Sequence, residues 1–126
     1  MRCSFLLLLI SLSLNADYVR WFSSYEKAHK EALLRDKVLM VLLLQTRDNK
    51  LLKDIFMEQS YIKTLKKDFV SVLVIKDQKN SYPIELLYTV QYPAIFFLDE
   101  NELMICDILS GIITEKTFQK YLNKCK

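Results

Sequence analysis

The chain has 126 residues, 52% of them apolar and 26% charged, with a formal net charge of +3. This length gives one domain and is short for two, and that much apolar material can fill a core without staples. A single glycine and two prolines exclude a turn-rich all-β fold and a disordered linker. Basic and acidic residues are interspersed, whereas a nucleic-acid binder concentrates its positive charge in a patch. The densest basic group, Lys63, Lys66 and Lys67, runs straight into Asp68 and reads as a solvated helix face. There is no internal repeat and no low-complexity tract.

The N-terminus reads as a targeting segment. Met1-Arg2 gives a basic start, Phe5 to Leu14 is apolar apart from Ser11 and Ser13, and Asn15-Ala16 offers a small residue for cleavage. The expectation is a signal peptide over 1–16, with the mature domain at 17–126. Ser13 is a second cleavage site, and a retained leader is the third alternative. The apolar run is short for a bilayer span, so no stable membrane span is expected after cleavage. The chain is thus read as exported, periplasmic or secreted. Cys3 lies inside the leader, which leaves Cys106 and Cys125 in the mature chain. In an oxidising compartment cysteines tend to pair or be absent, and two of them permit one bridge.

Trp21-Phe22 opens the domain. Ser23 with Glu26 three residues on forms a capping box, which predicts a helix to about Arg35. Tyr25, Ala28, Ala32 and Leu33 make its apolar face, and His29 falls on its solvated side. Val38–Leu44 is an unbroken apolar run without charge, which predicts a central strand covered on both faces. Leu51, Leu52, Ile55 and Phe56 then form one wide stripe, predicting a helix from Asp48 to about Gln59. A further helical turn over Ser60–Lys67 turns Tyr61, Ile62 and Leu65 inward. Phe69–Ile75 is a second strand, rich in β-branched residues.

After a polar loop, Pro83 opens a helix carrying Ile84, Leu86, Leu87 and Tyr88. Tyr92–Leu98 is a third strand entered through Pro93, and Asp99-Glu100-Asn101 turns the chain into a fourth, antiparallel strand over Leu103–Leu109. Thr114 caps a last helix with Phe118, Tyr121 and Leu122 inward. The order predicts an α/β fold: a mixed four-stranded sheet with helices on both faces.

These pieces, in this order, resemble the thioredoxin fold, and more narrowly the exported thioredoxin-like proteins. The resemblance spans about Trp21 to Leu122. It rests on Trp21, the Ser24–Arg35 helix with Ala28 and Ala32, the strand through Leu44, Phe69-Val70-Ser71-Val72, Tyr92-Pro93-Ala94-Ile95-Phe96-Phe97-Leu98-Asp99, and Ser110-Gly111. It implies that the Tyr92–Pro93 bond is cis and faces the family's active site, a conformation that X–Pro bonds adopt at modest cost. It also implies a Cys-x-x-Cys pair after the central strand, where a helix N-terminus stabilises a thiolate.

The positions that register with that pair are Gln45-Thr46-Arg47-Asp48 or, shifted by one, Thr46-Arg47-Asp48-Asn49. Neither register holds a cysteine. The departure removes the family's dithiol chemistry from the reading and leaves its fold. Two accounts of the corner stand side by side. Thr46 or Asp48 caps the following helix, or Gln45, Thr46, Arg47, Asp48, Asn49, Tyr92 and Pro93 form a surface that recognises an extended peptide. The functional expectation is a redox-inactive protein acting by protein or peptide binding, without cofactor. Its alternatives are an oxidoreductase using Cys106 and Cys125, and an assembly protein dimerising through Cys125. One histidine and two scattered cysteines do not make a metal site.

Overall fold

The computed structural model describes residues 20–46, 59–76, 82–83 and 87–126. Among these are five strands: β1 (Trp21–Phe22), β2 (Val38–Leu44), β3 (Phe69–Ile75), β4 (Ala94–Leu98) and β5 (Leu109–Ser110). Three helices accompany them: α1 (Tyr25–Arg35), α2 (Gln59–Asp68) and α3 (Glu115–Lys124). The sheet order is β1-β3-β2-β4-β5. β3 runs parallel to both β1 and β2, whereas β4 is antiparallel to β2 and to β5. The fold is therefore α/β with a mixed sheet, one strand larger than the four expected. The extra strand is β1, whose two residues are too few to carry a periodic signal. The predicted helix at Asp48–Gln59 lies almost wholly outside the described residues.

The central strand behaves as its composition demands. Side chains of a strand alternate between faces, and both sets on β2 are buried. Leu39, Val41 and Leu43 join Tyr25, Ala28 and Ala32 of α1, together with Val70, Val72, Phe96 and Leu98. Met40, Leu42 and Leu44 join Tyr61 and Leu65 of α2 and Phe118 and Leu122 of α3. Ala28 and Ala32 let α1 approach the sheet closely. That narrow contact leaves Leu33 half exposed at 48% rather than on the inner face as predicted.

Helix starts follow side-chain caps, with one shift from expectation. α1 is capped by Ser24, whose Oγ accepts from the Lys27 N–H, and not by Ser23. Pairing of Phe22 with Val72 holds the chain extended at that point, so the helix begins one residue later. α3 is capped by Thr114 as predicted, its Oγ1 accepting from the Thr117 N–H.

The hairpin after β4 turns at Asp99. Its Oδ1 accepts from the N–H groups of Asn101 (2.8 Å) and Leu103 (3.0 Å), and Glu102 takes a left-handed conformation with φ 64°. The predicted strand over Leu103–Leu109 is broken. Met104 bridges Leu98, and pairing resumes only at Leu109 opposite Ile95. The chain takes five steps on one side against three on the other, so two residues bulge out. Cys106 lies in that excursion.

Candidate functional site

The corner implied by the sequence sits where β2 ends beside the start of β4. Leu43 pairs with Ala94, which brings Pro93 alongside the end of β2. Gln45 and Thr46 follow β2 and are exposed, while Arg47, Asp48 and Asn49 lie outside the described residues. The Tyr92–Pro93 peptide bond is cis. Tyr92 and Pro93 are half-buried. The geometry thus brings Pro93 and Tyr92 to the same end of the sheet as Gln45 and Thr46.

Gly111 fixes the floor of this corner. Its N–H donates to the Pro93 carbonyl at 3.0 Å. It takes φ +79°, and an added Cβ would come within 3.2 Å of Gln91 Oε1. That conformation suits glycine because it lacks a Cβ. The only glycine in the chain therefore serves a backbone contact to the cis-proline. The Pro93 carbonyl is occupied by this bond, but among the described residues no backbone hydrogen bond engages the N–H or C=O of Tyr92.

Beside Tyr92 runs a groove of about 380 Å³, with Leu43, Leu87 and Tyr82 in its lining and Tyr88 and Val90 at its rim. The Lys76 ammonium lies 5.3 Å from the centre of the Tyr92 ring, a cation–π contact. Tyr88 is 66% exposed and Val90 78%. Leu87 donates its N–H to the Pro83 carbonyl at 3.0 Å, while Ile84 and Leu86 of the expected helix lie outside the described residues. Sequence reasoning singled out Tyr92 and Pro93 and missed Tyr82, Tyr88 and Val90. Their only signal was apolar character in a short segment without clear period.

Cys106 and Cys125 are joined to each other in a disulfide with Cα atoms 5.9 Å apart. Cys106 does not sit mid-strand, and Cys125 is not in a frayed tail. Cys125 caps α3 and is wholly buried in the core formed with Phe118 and Leu122. The bond lies toward the far end of β4. The Ile105 N–H donates to the Phe97 carbonyl, and Phe97 is four residues from Pro93, roughly 13 Å along a strand. Among the described residues, therefore, no cysteine sulfur lies at the Pro93 corner.

A polar cluster elsewhere joins α1 to the hairpin. The Tyr25 hydroxyl donates to Glu102 Oε2 at 2.7 Å. His29 stacks on Tyr25 with ring centres 6.2 Å apart, and its Nε2 lies 3.9 Å from Glu102 Oε1. Burial first, then the hydrogen bond to Glu102 and its charge, push the Tyr25 hydroxyl well above the ordinary tyrosine range. His29 is thus not on the solvated face. It stands four residues after Tyr25 on the same stripe. Among the described residues there is no group of three or more His, Cys, Asp or Glu that could hold a metal ion. No helix among them is long and apolar enough to cross a membrane.

The arrangement, a mixed sheet with a cis-proline opposite the end of a buried central strand, defines a thioredoxin-like fold. A solved structure described as DsbH oxidoreductase is similar, with a TM-score of 0.69, 14% sequence identity, and coverage of 87% of this chain and 85% of that one. No family model matches the sequence, and no curated protein does.

Proposed function

We propose that this protein is an exported, redox-inactive thioredoxin-fold protein that binds an extended peptide segment of another protein at the Pro93 corner. The observation that carries this reading is the place of sulfur. Cys106 and Cys125 are bonded to each other away from the corner, and neither registration of the Gln45–Asn49 segment contains a cysteine. A dithiol enzyme needs an accessible thiolate at a helix N-terminus. Cys125 instead is buried at a helix C-terminus, which supports a structural bond. The same intramolecular bond argues against dimerisation through Cys125.

The groove supplies what a peptide needs. Backbone at Tyr92 that no described residue pairs suits strand-like hydrogen bonding, and Tyr88, Val90 and Tyr92 suit an apolar side chain between them. Export is supported by the leader and by a disulfide, which persists in oxidising compartments. The test pairs two measurements on the secreted protein. Insulin reduction should show no turnover above background, and turnover that survives Cys106→Ser with Cys125→Ser would overturn the reading. Partners captured from its own compartment should bind at least tenfold more weakly to Val90→Lys and Tyr92→Ala, with the fold intact by circular dichroism. Mass spectrometry should find a chain beginning at Asp17.

A further inference from the structure

The sequence intersperses its charges, and the fold sorts them. α2 and α3 lie side by side and run the same way. At their starts the Tyr61 hydroxyl donates to the Glu115 carbonyl at 3.4 Å, and the Tyr61 and Phe118 rings meet edge to face with centres 5.3 Å apart. At their ends the Lys126 ammonium lies 3.8 Å from Asp68 Oδ2. Segments 59–68 and 115–126 carry seven lysines against two acidic residues, a net charge of +5. The other described residues carry six cations and seven acids, a net of −1. The segment 47–58, outside the described residues, has three cations and three acids, so it leaves this imbalance unchanged wherever it lies.

A solvated helix face does not require this pattern. α1 shows the ordinary arrangement, with Lys30 paired to Glu26 and Arg35 to Glu31, each four residues apart. On the α2–α3 layer the same spacing joins like charges: Lys63 with Lys67, Lys116 with Lys120, and Lys120 with Lys124, all exposed. Side chains at this spacing are about 6 Å apart, inside the screening length at physiological salt, and a like-charged pair there destabilises its helix. Gln119 and Asn123, hydrogen-bonded to each other, add no carboxylate to the outer face of α3. Asp68 is engaged by Lys126, and Glu115 sits in the first turn of α3, where it suits the helix dipole. With the two helix C-termini counted at about −0.5 each, about four positive charges remain. Repulsion kept at that cost calls for a negative counterpart outside the chain.

We propose that the α2–α3 layer docks on an anionic lipid surface and holds the protein at a membrane without crossing it. The cations of the layer are all lysines, whereas arginine is the residue suited to bidentate recognition of discrete phosphates. None of its aromatic residues, Tyr61, Phe118 and Tyr121, is exposed to stack on a base. Hydrated point charges spread over two helices, each about 15 Å long, suit a diffuse field of headgroups instead. Leu43, Leu87, Tyr82 and Tyr92 of the groove belong to the opposite layer, so docking turns the groove away from the bilayer.

The layer shares no residue with the Pro93 groove, so the proposal stands or falls independently of peptide binding. The test is co-sedimentation of the secreted protein with vesicles of equimolar phosphatidylglycerol and phosphatidylcholine at low salt. Binding should weaken steeply as sodium chloride is raised and be absent with phosphatidylcholine alone. A lysine near an anionic surface changes affinity about fivefold. Lys116→Gln, Lys120→Gln and Lys124→Gln together should therefore lose about a hundredfold, and Lys63→Gln with Lys67→Gln, on the neighbouring helix, about twenty-five-fold. Both variants relieve repulsion between exposed lysines and should melt no lower than the parent. Lys27→Gln, Lys30→Gln and Arg35→Gln together remove the same net charge as the α3 variant, but from the other layer, and should lose less than about fivefold. Equal loss from the two triple variants would overturn the proposal, as would failure to bind anionic vesicles at low salt. Equal binding to neutral vesicles, which a retained leader gives, would also overturn it. Displacement from the vesicles by a DNA duplex at equal phosphate concentration would assign the face to nucleic acid and overturn the lipid reading.

Discussion

At the scale of single residues, the polar side chains buried in the two layers set opposite expectations. Ser71 is buried and its hydroxyl has no partner among the described residues, so Ser71→Ala should be neutral or stabilising by up to about 1 kcal/mol by urea denaturation. Tyr25 is buried and partnered, so Tyr25→Phe should cost about 1–2 kcal/mol, less if solvent screens the half-exposed Glu102. Tyr25 also gives stability a pH dependence. Its folded pKa lies above the ordinary 10.0, so above about pH 10 the unfolded state loses this proton first. Stability therefore falls as pH rises beyond that point, by at most about 1.4 kcal/mol per unit. Tyr25→Phe should remove that part of the slope, which denaturation midpoints between pH 9 and 11 would measure. None of this was legible in the sequence. The Tyr25–Glu102 bond joins residues 77 apart, and a lone histidine among charged neighbours looks solvated until the sheet fixes which helical stripe is covered.

Among the elements, α1, α2 and α3 were read well because their signals are local, and the last strand was not. Ser24 and Thr114 cap helices whose inner residues follow from spacing, apart from Leu33, which is half exposed. Ser24→Ala should cost about 1 kcal/mol and Ser23→Ala less than about 0.5 kcal/mol, a comparison that thermal melts of the two variants would settle. The apolar run at Leu103–Leu109, broken only by Asp107, looks like a strand, but joining Cys106 to the end of α3 takes up the bulged residues. Both halves of the pattern are present in the sequence, while the bond that breaks the ladder is non-local. That bond closes a loop between positions 19 apart, for which chain-entropy reasoning gives about 3 kcal/mol. Replacing Cys106 and Cys125 by Ala should lower stability by about that amount. It should raise hydrogen exchange first in α3 and in the 103–108 excursion, and leave β2 protected.

For the whole molecule, the sheet order makes β2 the element on which both layers depend. The sequence disclosed this directly, because no strand with a solvent face can be apolar at every position. The Pro93 corner was half legible: the proline and its neighbour stood out, while the groove beside it is made by segments brought together only in the fold. The strand's position also separates two kinds of damage. Leu42 is wholly buried and Leu34 is 83% exposed, so equal deletions at the two sites isolate packing from composition. Leu42→Ala should cost about 2–5 kcal/mol through lost transfer energy and the cavity left behind, whereas Leu34→Ala should stay within about 0.5 kcal/mol. β2 pairs with β3 and β4 and packs against helices on each face. A cavity at Leu42 should therefore speed hydrogen exchange in β3, β4, α2 and α3 together, as a drop in global stability does. Loss of the disulfide should loosen one end of one layer. If exchange after Leu42→Ala rises in α2 and α3 while β3 and β4 stay protected, β2 is not the shared support of the two layers.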